Sequence, residues 1–308
     1  MPISANSGEY KSRVGLDSLY VAVISEDSST VYTAGTPETF APAAEASQEP
    51  STSFEVQYAD DQPFDVMSGE GETKISLSVT NLPNEMLATI TGKVFNAASG
   101  QLWHNGGTAP FCALGFRSKK SNGSYRYYWY LKGKFDVPKE EGTTLEDTPS
   151  PKTLTLTYTA IRTTYKWNLG SVTDSVKRIV GDSDTTNFSA TGWWSAVVTP
   201  SYSAPSALSL SSSVPTDGTT GISVSANQTL TFNNALVNEA TNFVILVKAS
   251  DGTKISMASG YPSLDSTKKI MTLDPASNLT ASTAYDIYYA VKDIYGQYLA
   301  GVVNFTTA

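Results

Sequence analysis

The sequence predicts a mainly β protein of two domains, and three observations support this prediction. Apolar and polar residues alternate with period two through most of the first 200 residues, as in half-buried strands. The 308 residues are 40% hydrophobic and only 16% charged, and they are rich in Ser, Thr, Gly and Tyr, which is typical of strands and turns. Near residue 200 the composition changes, because a segment rich in Pro, Ala and Ser precedes about a hundred residues of short strands.

Six segments of the first domain alternate regularly enough to be predicted as strands. They are LYVAVI (19–24), SFEVQY (53–58), TKISLSV (73–79), APFCALGF (109–116), SYRYYWYLKGKF (124–135) and KTLTLTYTAI (152–161). The Asn122-Gly123 pair between the fourth and fifth segments is a strong signal for a hairpin turn. The sequence therefore predicts a long antiparallel ribbon over residues 109–135.

One segment departs from the strand pattern and predicts a short amphipathic helix. In NLPNEMLATITGK (81–93), Asn81 is a candidate cap, Pro83 lies near the first helical position, and Gly92 is the candidate stop. The apolar face is formed by three residues with helical spacing: Met86, Leu87 and Ile90. A second helical turn is predicted around residues 176–180.

Three long polar segments, at 25–51, 137–151 and 181–191, are predicted to interrupt the sheet as loops. Loops longer than about 12–15 residues are uncommon unless they are functional or disordered. Together with a polar amino-terminal arm (1–14), these segments are long enough to reach a neighbouring molecule. The domain boundaries predicted from composition are 1–200 for the first domain, 201–212 for a linker and the start of a strand, and 213–308 for the second domain.

Charge and rare residue types exclude several function classes. The chain has 21 basic and 29 acidic residues, a net charge of −8, which disfavours binding to phosphate backbones. A single cysteine, Cys112, excludes an internal disulfide framework, and His104 is the only histidine. The amino end lacks the apolar run of a signal peptide, and no later run approaches a membrane span, so we expect synthesis in a cytoplasm without membrane insertion.

The last hundred residues resemble the bacterial Ig-like domains of surface-layer proteins. The resemblance rests on six pieces in the order typical of that family: VPTDG (214–218), TLTF (229–232), MTLDP (271–275), LTASTAYDIYY (279–289), KDIYGQYL (292–299) and NFTT (304–307). It implies a β-sandwich in which Tyr285 anchors a corner between sheets, followed by a late hairpin turn. Such modules bind or decorate and seldom catalyse.

The first two hundred residues resemble the major tail proteins that form the tail tube of long, flexible-tailed bacteriophages. The matching passages, taken in order, are GLDSLYVAVI (15–24), AEASQEPS (44–51), SFEVQYADDQPFD (53–65), GEGETKISLSVTNLPNEMLATITGK (69–93), the ribbon at 111–135 and KTLTLTYTAI (152–161). The resemblance implies a β-sandwich or barrel-like domain with one short helix on its flank.

The same resemblance implies what the protein does. Six copies would form a ring, and rings would stack around a tape-measure protein into a tube that later carries the genome. The chain would then be a structural component of the virion that contacts other tail proteins, and genomic DNA would pass through the lumen without specific binding. The Ig-like domain would decorate the tube exterior or adhere weakly to glycans of the host surface.

No catalytic, cofactor or metal site is predicted. The carboxylates of Asp60, Asp61, Asp65, Glu70 and Glu72 cluster in sequence, and such a cluster can act as acid and base or bind a hard cation. We interpret them instead as a solvated loop or as salt-bridge partners between rings. The segment GDSDTTN (181–187) alternates oxygen ligands but lacks the central glycine and final glutamate of a calcium loop.

The aromatic strand SYRYYWYLKGKF has two different faces. One face, with Tyr125, Tyr127, Trp129, Leu131, Gly133 and Phe135, is predicted to be core. The other face, with Arg126, Tyr128, Tyr130, Lys132 and Lys134, is predicted to contact a neighbouring subunit, because Tyr and Arg are enriched at interfaces. Charge reversal at Lys132 and Lys134 is then expected to weaken assembly.

Two functions of other classes remain as alternatives. A bacterial cell-surface binding or adhesion protein built of Ig-like modules would require a signal peptide or a wall anchor. An enzyme carrying a β-sandwich carbohydrate-binding module would require a catalytic constellation. Trp193 and Trp194 are not predicted to form a sugar-binding platform. They precede the linker and are predicted to pack at the end of a strand.

Overall fold

Strands dominate the computed structural model, which describes residues 7–59, 61–139 and 153–308. The chain divides into two units, Met1–Ser203 and Ala204–Ala308, each with its own apolar core. Among the described residues, no helix has both the length and the apolar character that a membrane span requires. The mainly β class predicted from the sequence is thus confirmed.

The first unit contains one α-helix and thirteen strands in its described part. The helix is α1 (Asn84–Thr91), and the strands are β1 (Arg13–Asp27), β2 (Tyr32–Ala34), β3 (Glu38–Thr39), β4 (Ala43–Ala59), β5 (Gln62–Val79), β6 (Val94–Asn96), β7 (Gln101–Trp103), β8 (Cys112–Lys120), β9 (Tyr125–Phe135), β10 (Leu154–Ala160), β11 (Lys166–Asn168), β12 (Thr173–Ser175) and β13 (Arg178–Asp182).

Nine of these strands form one sheet in the order β2-β1-β8-β9-β10-β5-β4, with β3 beside β1 and β13 beside β9. The predicted ribbon is its centre: β8 and β9 pair antiparallel across the Asn122-Gly123 turn, where Gly123 has the positive φ that such a turn needs. The sheet curves enough for β4, at one edge, to contact β1 near the other. This curvature encloses the main core.

Strand β9 is buried on both faces. Tyr128 and Tyr130 belong to the main core, where β5, β10 and α1 also contribute side chains, whereas Tyr127, Trp129 and Leu131 belong to a second cluster on the opposite face. The predicted core face is therefore confirmed for these three residues. The predicted subunit contact is wrong for Tyr128 and Tyr130, because the curved sheet of the same chain covers them.

The helix begins later than predicted. Pro83 occupies the N-cap position in an extended conformation, no side chain caps the helix, and Asn81 lies outside it. The carbonyl of Pro83 accepts the first helical hydrogen bond, from Leu87 N–H. Gly92 ends the helix in the left-handed region, as predicted, and a Cβ there would overlap the backbone of Thr108.

Two other local predictions are wrong. Residues 176–180 are not helical, because the segment leads into β13, which pairs with β9 along five residues. The polar segment 25–51 is not one loop, since it contains β2, β3 and the first half of β4. In both places pairing with a neighbouring strand outweighs the local polar composition. Most of the predicted loop 137–151 lies outside the described residues.

The second unit is a sandwich of two four-stranded sheets, β14-β16-β19-β18 and β15-β21-β20-β17. Its strands are β14 (Leu210–Val214), β15 (Thr219–Ile222), β16 (Gln228–Phe232), β17 (Phe243–Lys248), β18 (Ser263–Leu264), β19 (Ile270–Leu273), β20 (Ala284–Lys292) and β21 (Tyr298–Thr307). The predicted tyrosine anchor is confirmed, because the buried hydroxyl of Tyr285 accepts a hydrogen bond from Thr280 N–H at 2.9 Å.

Candidate assembly surface

The β4–β5 hairpin extends beyond the sheet. Strand β5 pairs with β10 only over residues 73–79, whereas β4 and β5 continue to pair with each other up to Ala59 and Gln62. The free part, residues 52–70, is therefore a two-stranded ribbon. Its eight residues on β4 (52–59) correspond to a length of about 26 Å at about 3.3 Å per residue, and β5 contributes nine (62–70) because of a bulge.

One face of this ribbon is apolar and exposed to solvent. Directly opposed residues of an antiparallel pair share a face, so Val56 and Val66 lie together, and Phe54 and Tyr58 lie on the same side by alternation along β4. Phe64 is the extra residue of a bulge in β5 opposite Tyr58. The rings are among the most exposed large side chains of the unit, at 70% for Phe54, 68% for Tyr58 and 76% for Phe64. An exposed apolar patch of this extent marks an interaction site.

The physical chemistry of a lone hairpin supports the same conclusion. An isolated two-stranded ribbon is at best marginally stable in water, because it has no third strand or core to bury its apolar face. No residue between 52 and 70 belongs to a core cluster of the described structure. The described residues of the chain therefore leave the apolar face of the ribbon uncovered.

The base of the hairpin is fixed to the sheet by a buried lysine. The ammonium of Lys177 forms an ion pair with Glu70 and donates a hydrogen bond to the Gly71 carbonyl at 3.0 Å. The hydrogen bond from Lys177 holds the pKa of Glu70 below its ordinary value. Lys177, which directly precedes β13, thus ties β5 at the base of the ribbon to the start of β13.

A groove of about 780 Å³ opens on the same unit, between β4 and the face formed by β1, β8, β9 and β13. Its lining is mainly polar, and its apolar members are the half-buried Leu16 and Val180 and the buried Phe116 and Tyr128. Three arginines from three different strands line it: Arg13, Arg126 and Arg178. Glu45 is the one carboxylate in its lining, so the groove carries an excess of positive charge.

None of the three groove arginines forms a close ion pair with a carboxylate of the described residues, although the charge of Arg178 contributes to the lowered pKa of Glu70. Arg13 donates to the Tyr128 hydroxyl at 3.0 Å, and Arg178 approaches the Tyr130 hydroxyl at 3.5 Å. All three side chains are exposed. Arginine is among the residue types that are enriched at protein interfaces.

The predicted carboxylate cluster lies on the hairpin and not in a loop. Asp65, Glu70 and Glu72 lie in β5, and Asp61 forms the tight turn with a positive φ of 60°, a conformation that Asp tolerates. Asp60 lies outside the described residues. The structure separates these groups along an extended ribbon instead of gathering them in a cleft, and no group of three potential metal ligands occurs among the described residues.

The two lysines predicted to face a neighbour are used inside the chain. Lys132 is buried and donates to Asp27 at 2.6 Å and to the Thr164 hydroxyl at 3.0 Å, while Lys134 lies over the Phe111 ring. Burial alone would raise the pKa of Asp27, but the hydrogen bonds from Lys132 and from two backbone N–H groups outweigh it, so this pKa is lowered. The predicted interface role of Lys132 is therefore wrong.

The aspartates of GDSDTTN converge on another buried lysine. Lys120 donates to Asp182 at 2.5 Å and to Asp184 at 3.0 Å, and it also donates to the Gly8 carbonyl at 3.2 Å. The ammonium of Lys120 therefore occupies the position between the aspartate oxygens in which a metal cation would have to bind. This contact fastens the start of the described amino-terminal segment to the β8–β9 hairpin.

We expect this contact to be acid-sensitive. Hydrogen bonds from Ser124 and Lys120 lower the pKa of Asp184 from 3.8 to about 2. A carboxylate whose pKa is lower in the folded chain than in the unfolded chain stabilises the fold when the pH is above its unfolded pKa. This stabilisation is lost as the pH falls towards the folded pKa of about 2. The melting temperature of Asp184→Asn should lie below that of the wild type at pH 7, and the gap should close between pH 4 and pH 2. A gap that does not change with pH would refute this role.

The histidine, the cysteine and two tryptophans that the sequence analysis singles out lie at ordinary surface or core positions. His104 is exposed in the segment after β7, as expected, whereas Cys112 is fully buried and its burial raises the pKa of the thiol to about 12. Trp193 is buried against Tyr127, and Trp194 stacks on Tyr20 at 4.7 Å between ring centroids. The predicted packing of both tryptophans is confirmed.

The sequence pattern does not predict the arginine groove. Arg13 lies in the predicted amino-terminal arm and Arg178 in a segment predicted to be helical, so neither was assigned to a surface. Arg126 lies on a strand that the sequence does predict, but the pattern does not show which residues of other strands lie beside it. The period-two pattern of β4 and β5 does contain the hairpin signal, since Phe54, Val56 and Tyr58 alternate with polar residues.

Comparison with known proteins identifies both units. Residues 14–204, more than half of the chain, match the family model described as phage tail tube protein. Residues 204–307 match the model described as bacterial Ig-like domain. No curated protein matches the chain significantly.

Two solved structures that resemble part of the chain each cover about a third of it at a low TM-score. PcoC, a methionine-rich copper resistance protein from Escherichia coli, is 18% identical with a TM-score of 0.30, over 33% of this chain and 100% of PcoC. CopC from Methylosinus trichosporium OB3b is 16% identical with a TM-score of 0.28, over 32% of this chain and 92% of CopC. Similarity at these TM-scores carries no functional argument. With its family match, its curved β domain and its Ig-like sandwich, the chain belongs to the phage tail tube protein family and carries a bacterial Ig-like domain at its carboxy-terminal end.

Proposed function

We propose that this chain self-assembles into hexameric rings that stack into the tube of a phage tail, the conduit for genome delivery. The observation that carries the proposal is the β4–β5 hairpin, an extended ribbon with an apolar face that the described residues of the chain do not cover. Membership of the tail tube family supports it. The role is structural and not catalytic, and the protein acts in the virion after synthesis in the host cytoplasm.

A surface that lies on a projecting arm favours open-ended assembly. When the arm of one subunit contacts a different surface of the next, the contact repeats and builds rings or filaments. The tape-measure protein would occupy the lumen during assembly, and the tube ends would meet other tail proteins. The long hairpin supplies contact area that a bare sandwich lacks.

The charge of the chain suits a conduit for DNA. A net charge of −8 per subunit is repeated many times along a tube. Because tight binding of DNA depends on cations that neutralise phosphates, an acidic wall would let the genome pass without holding it. We therefore propose that DNA passes through the lumen without specific binding.

The Ig-like domain is proposed to decorate the tube exterior and to adhere weakly to glycans of the host surface. The outward face of its β17, β20 and β21 exposes Phe243, Tyr288 and Tyr298, and Lys292 lies over the Tyr298 ring at 5.0 Å. Tyrosine presents an apolar ring with a polar tip, which suits contact with wet surfaces. This face is the observation that favours a contact role for the second unit.

Self-assembly can be tested by truncation. A chain that ends at Ser203 keeps the hairpin, the groove and both clusters of the first unit, so it is expected to form the same rings or tubes as the full chain. Sedimentation velocity over a range of protein concentrations would compare the two. If the truncated chain is folded by circular dichroism but stays monomeric while the full chain assembles, the second unit is part of the assembly and not an appendage.

A further inference from the structure

We infer that Asn105 is a modification site, at which the folded chain converts its own asparagine to isoaspartate with water as the only co-reactant. The inference goes beyond the proposed function and does not depend on it. The chain contains two Asn-Gly pairs, Asn105-Gly106 and Asn122-Gly123. In such a pair the nitrogen of the glycine is open to reaction, because glycine has no Cβ to shield it. The hydrogen bonds of the folded chain distinguish the two pairs.

The reaction has two steps, in which nothing is oxidised or reduced. In the first step the main-chain nitrogen of Gly106 attacks the side-chain carbonyl carbon of Asn105. A C–N bond forms there, and the Nδ2 group leaves as ammonia with the proton of that nitrogen. In the second step water adds to the main-chain carbonyl carbon of Asn105 in the resulting cyclic imide and breaks its bond to Gly106. The chain then runs through the side chain of residue 105, and the former main-chain carbonyl becomes a carboxylate.

The side chain of Asn105 is held in position for the first step. Gly107 N–H donates to Asn105 Oδ1 at 3.4 Å, which closes an Asx turn around Gly106. Such a turn keeps the side-chain carbonyl carbon beside the Gly106 nitrogen. The same hydrogen bond stabilises the negative charge that develops on Oδ1 during the attack. Asn105 and Gly106 are both exposed, so water reaches the site.

A lysine activates the attacking nitrogen. The ammonium of Lys93 donates to the main-chain carbonyl of Asn105 at 2.7 Å and to the Gly107 carbonyl at 3.5 Å. When Gly106 N–H loses its proton, the negative charge is shared with the Asn105 carbonyl oxygen through peptide resonance. The charge-assisted hydrogen bond from Lys93 therefore makes this proton easier to remove. In the second step Lys93 polarises the same carbonyl towards water, which favours isoaspartate over aspartate.

The nitrogen of Gly106 is also available, whereas that of Gly123 is not. Within the described part of the chain, Gly106 N–H donates to no acceptor. Gly123 N–H donates to the Lys120 carbonyl at 3.0 Å in the β8–β9 turn. Asn122 forms a similar Asx turn, in which Ser124 N–H donates to its Oδ1 at 3.2 Å. The bound nitrogen therefore protects Asn122 in the folded chain.

The product changes the contact between this segment and the end of α1. In isoaspartate the carbonyl that accepts from Lys93 becomes a carboxylate, so the hydrogen bond becomes an ion pair. The main chain also gains a carbon atom, next to the place where Gly107 lies against the Gly92 carbonyl with no room for a Cβ. The segment after β7 must therefore shift, and each converted copy gains one negative charge.

Peptide mapping of the full chain tests the assignment. Trypsin separates Asn105 from Asn122, because Arg117 and Lys120 lie between them. Mass spectrometry detects the replacement of the amide by an acid, and an isoaspartyl methyltransferase labels isoaspartate. After incubation of the folded protein at neutral pH, we expect Asn105 to be converted at least about ten times faster than Asn122, whereas in guanidinium chloride the two rates should be similar. The inference is overturned if folded Asn122 reacts as fast as Asn105, or if Asn105 reacts only in the unfolded chain.

Three variants test the mechanism in chains whose folding is checked by circular dichroism. Gly106→Ala should slow conversion of Asn105 at least about tenfold without strain, because Gly106 lacks a left-handed φ and no atom lies within 4 Å of the added Cβ. Lys93→Met should slow conversion of the folded chain and lower the ratio of isoaspartate to aspartate, while the rate in guanidinium chloride stays unchanged. Lys93→Arg should keep both the rate and the ratio near those of the wild type. Equal rates and ratios in Lys93→Met and the wild type would show that the ammonium plays no part.

Discussion

A chain in which residues 53–69 are replaced by Asn-Gly is expected to keep its fold and to lose self-assembly. Thr52 and Glu70 face each other across the ribbon, so a two-residue turn can join them without altering the sheet below. The ion pair between Lys177 and Glu70 remains at the base. Because the removed residues bury nothing in the described cores, the melting temperature should change little.

Substitutions on the two faces of the intact hairpin sharpen this prediction. Changing Phe54, Tyr58 and Phe64 to Ser should raise the concentration needed for assembly by at least about 100-fold, because burying each ring is worth about 1.5–3 kcal/mol. Met67→Ser is the control, since Met67 is exposed but lies on the opposite face. Sedimentation velocity measures both. Equal effects of the triple variant and Met67→Ser would contradict the role of the apolar face.

Lys132→Met is expected to destabilise the first unit by about 3–5 kcal/mol, which is the cost of leaving a buried charge without its partner. The Asp27 side chain is only 4% exposed, and it also accepts hydrogen bonds from Thr164 N–H at 2.8 Å and Tyr165 N–H at 2.9 Å. Methionine has a similar length, so little packing is lost. The melting temperature should fall by roughly 10 °C for a unit of this size.

Two further variants separate charge from packing. Arg162→Met breaks an exposed ion pair with Asp174, whose side chains are 47% and 50% exposed, and it should cost less than about 1 kcal/mol. Adding Asp27→Asn to Lys132→Met removes the unpaired carboxylate and should restore much of the lost stability. A Lys132→Met variant no less stable than Arg162→Met would show that the Asp27 pair does not hold the fold.

This result also bears on what the sequence could predict. The alternation of residues 124–135 places Tyr128 and Tyr130 on one face and Tyr127 and Trp129 on the other, and that part of the assignment is correct. It is wrong for Phe135, because a bulge after Tyr130 shifts the register against β8 and Phe135 joins the main core beside Tyr128 and Tyr130. The sequence does not show that the sheet curves until its own β5 and β10 cover that face. A pattern of period two reports which side chains share a face but not what lies opposite.

Local signals with a specific backbone requirement were predicted well. The Asn122-Gly123 turn, the Gly92 stop and the Tyr285 anchor each depend on one residue type in one conformation, and the structure has all three. The strand at β13 was missed because pairing with β9 decides its conformation. The groove was missed for a related reason, since its arginines come from three strands far apart in sequence.

The most direct test of the central claim is electron microscopy of the purified full chain in negative stain. The proposed function predicts hollow tubes or six-fold rings whose abundance increases with protein concentration. The variant with Asn-Gly in place of residues 53–69, imaged at the same concentrations, should show single particles only. A wild-type chain that remains a monodisperse monomer at every concentration and salt tested would contradict the claim that this protein builds a tube.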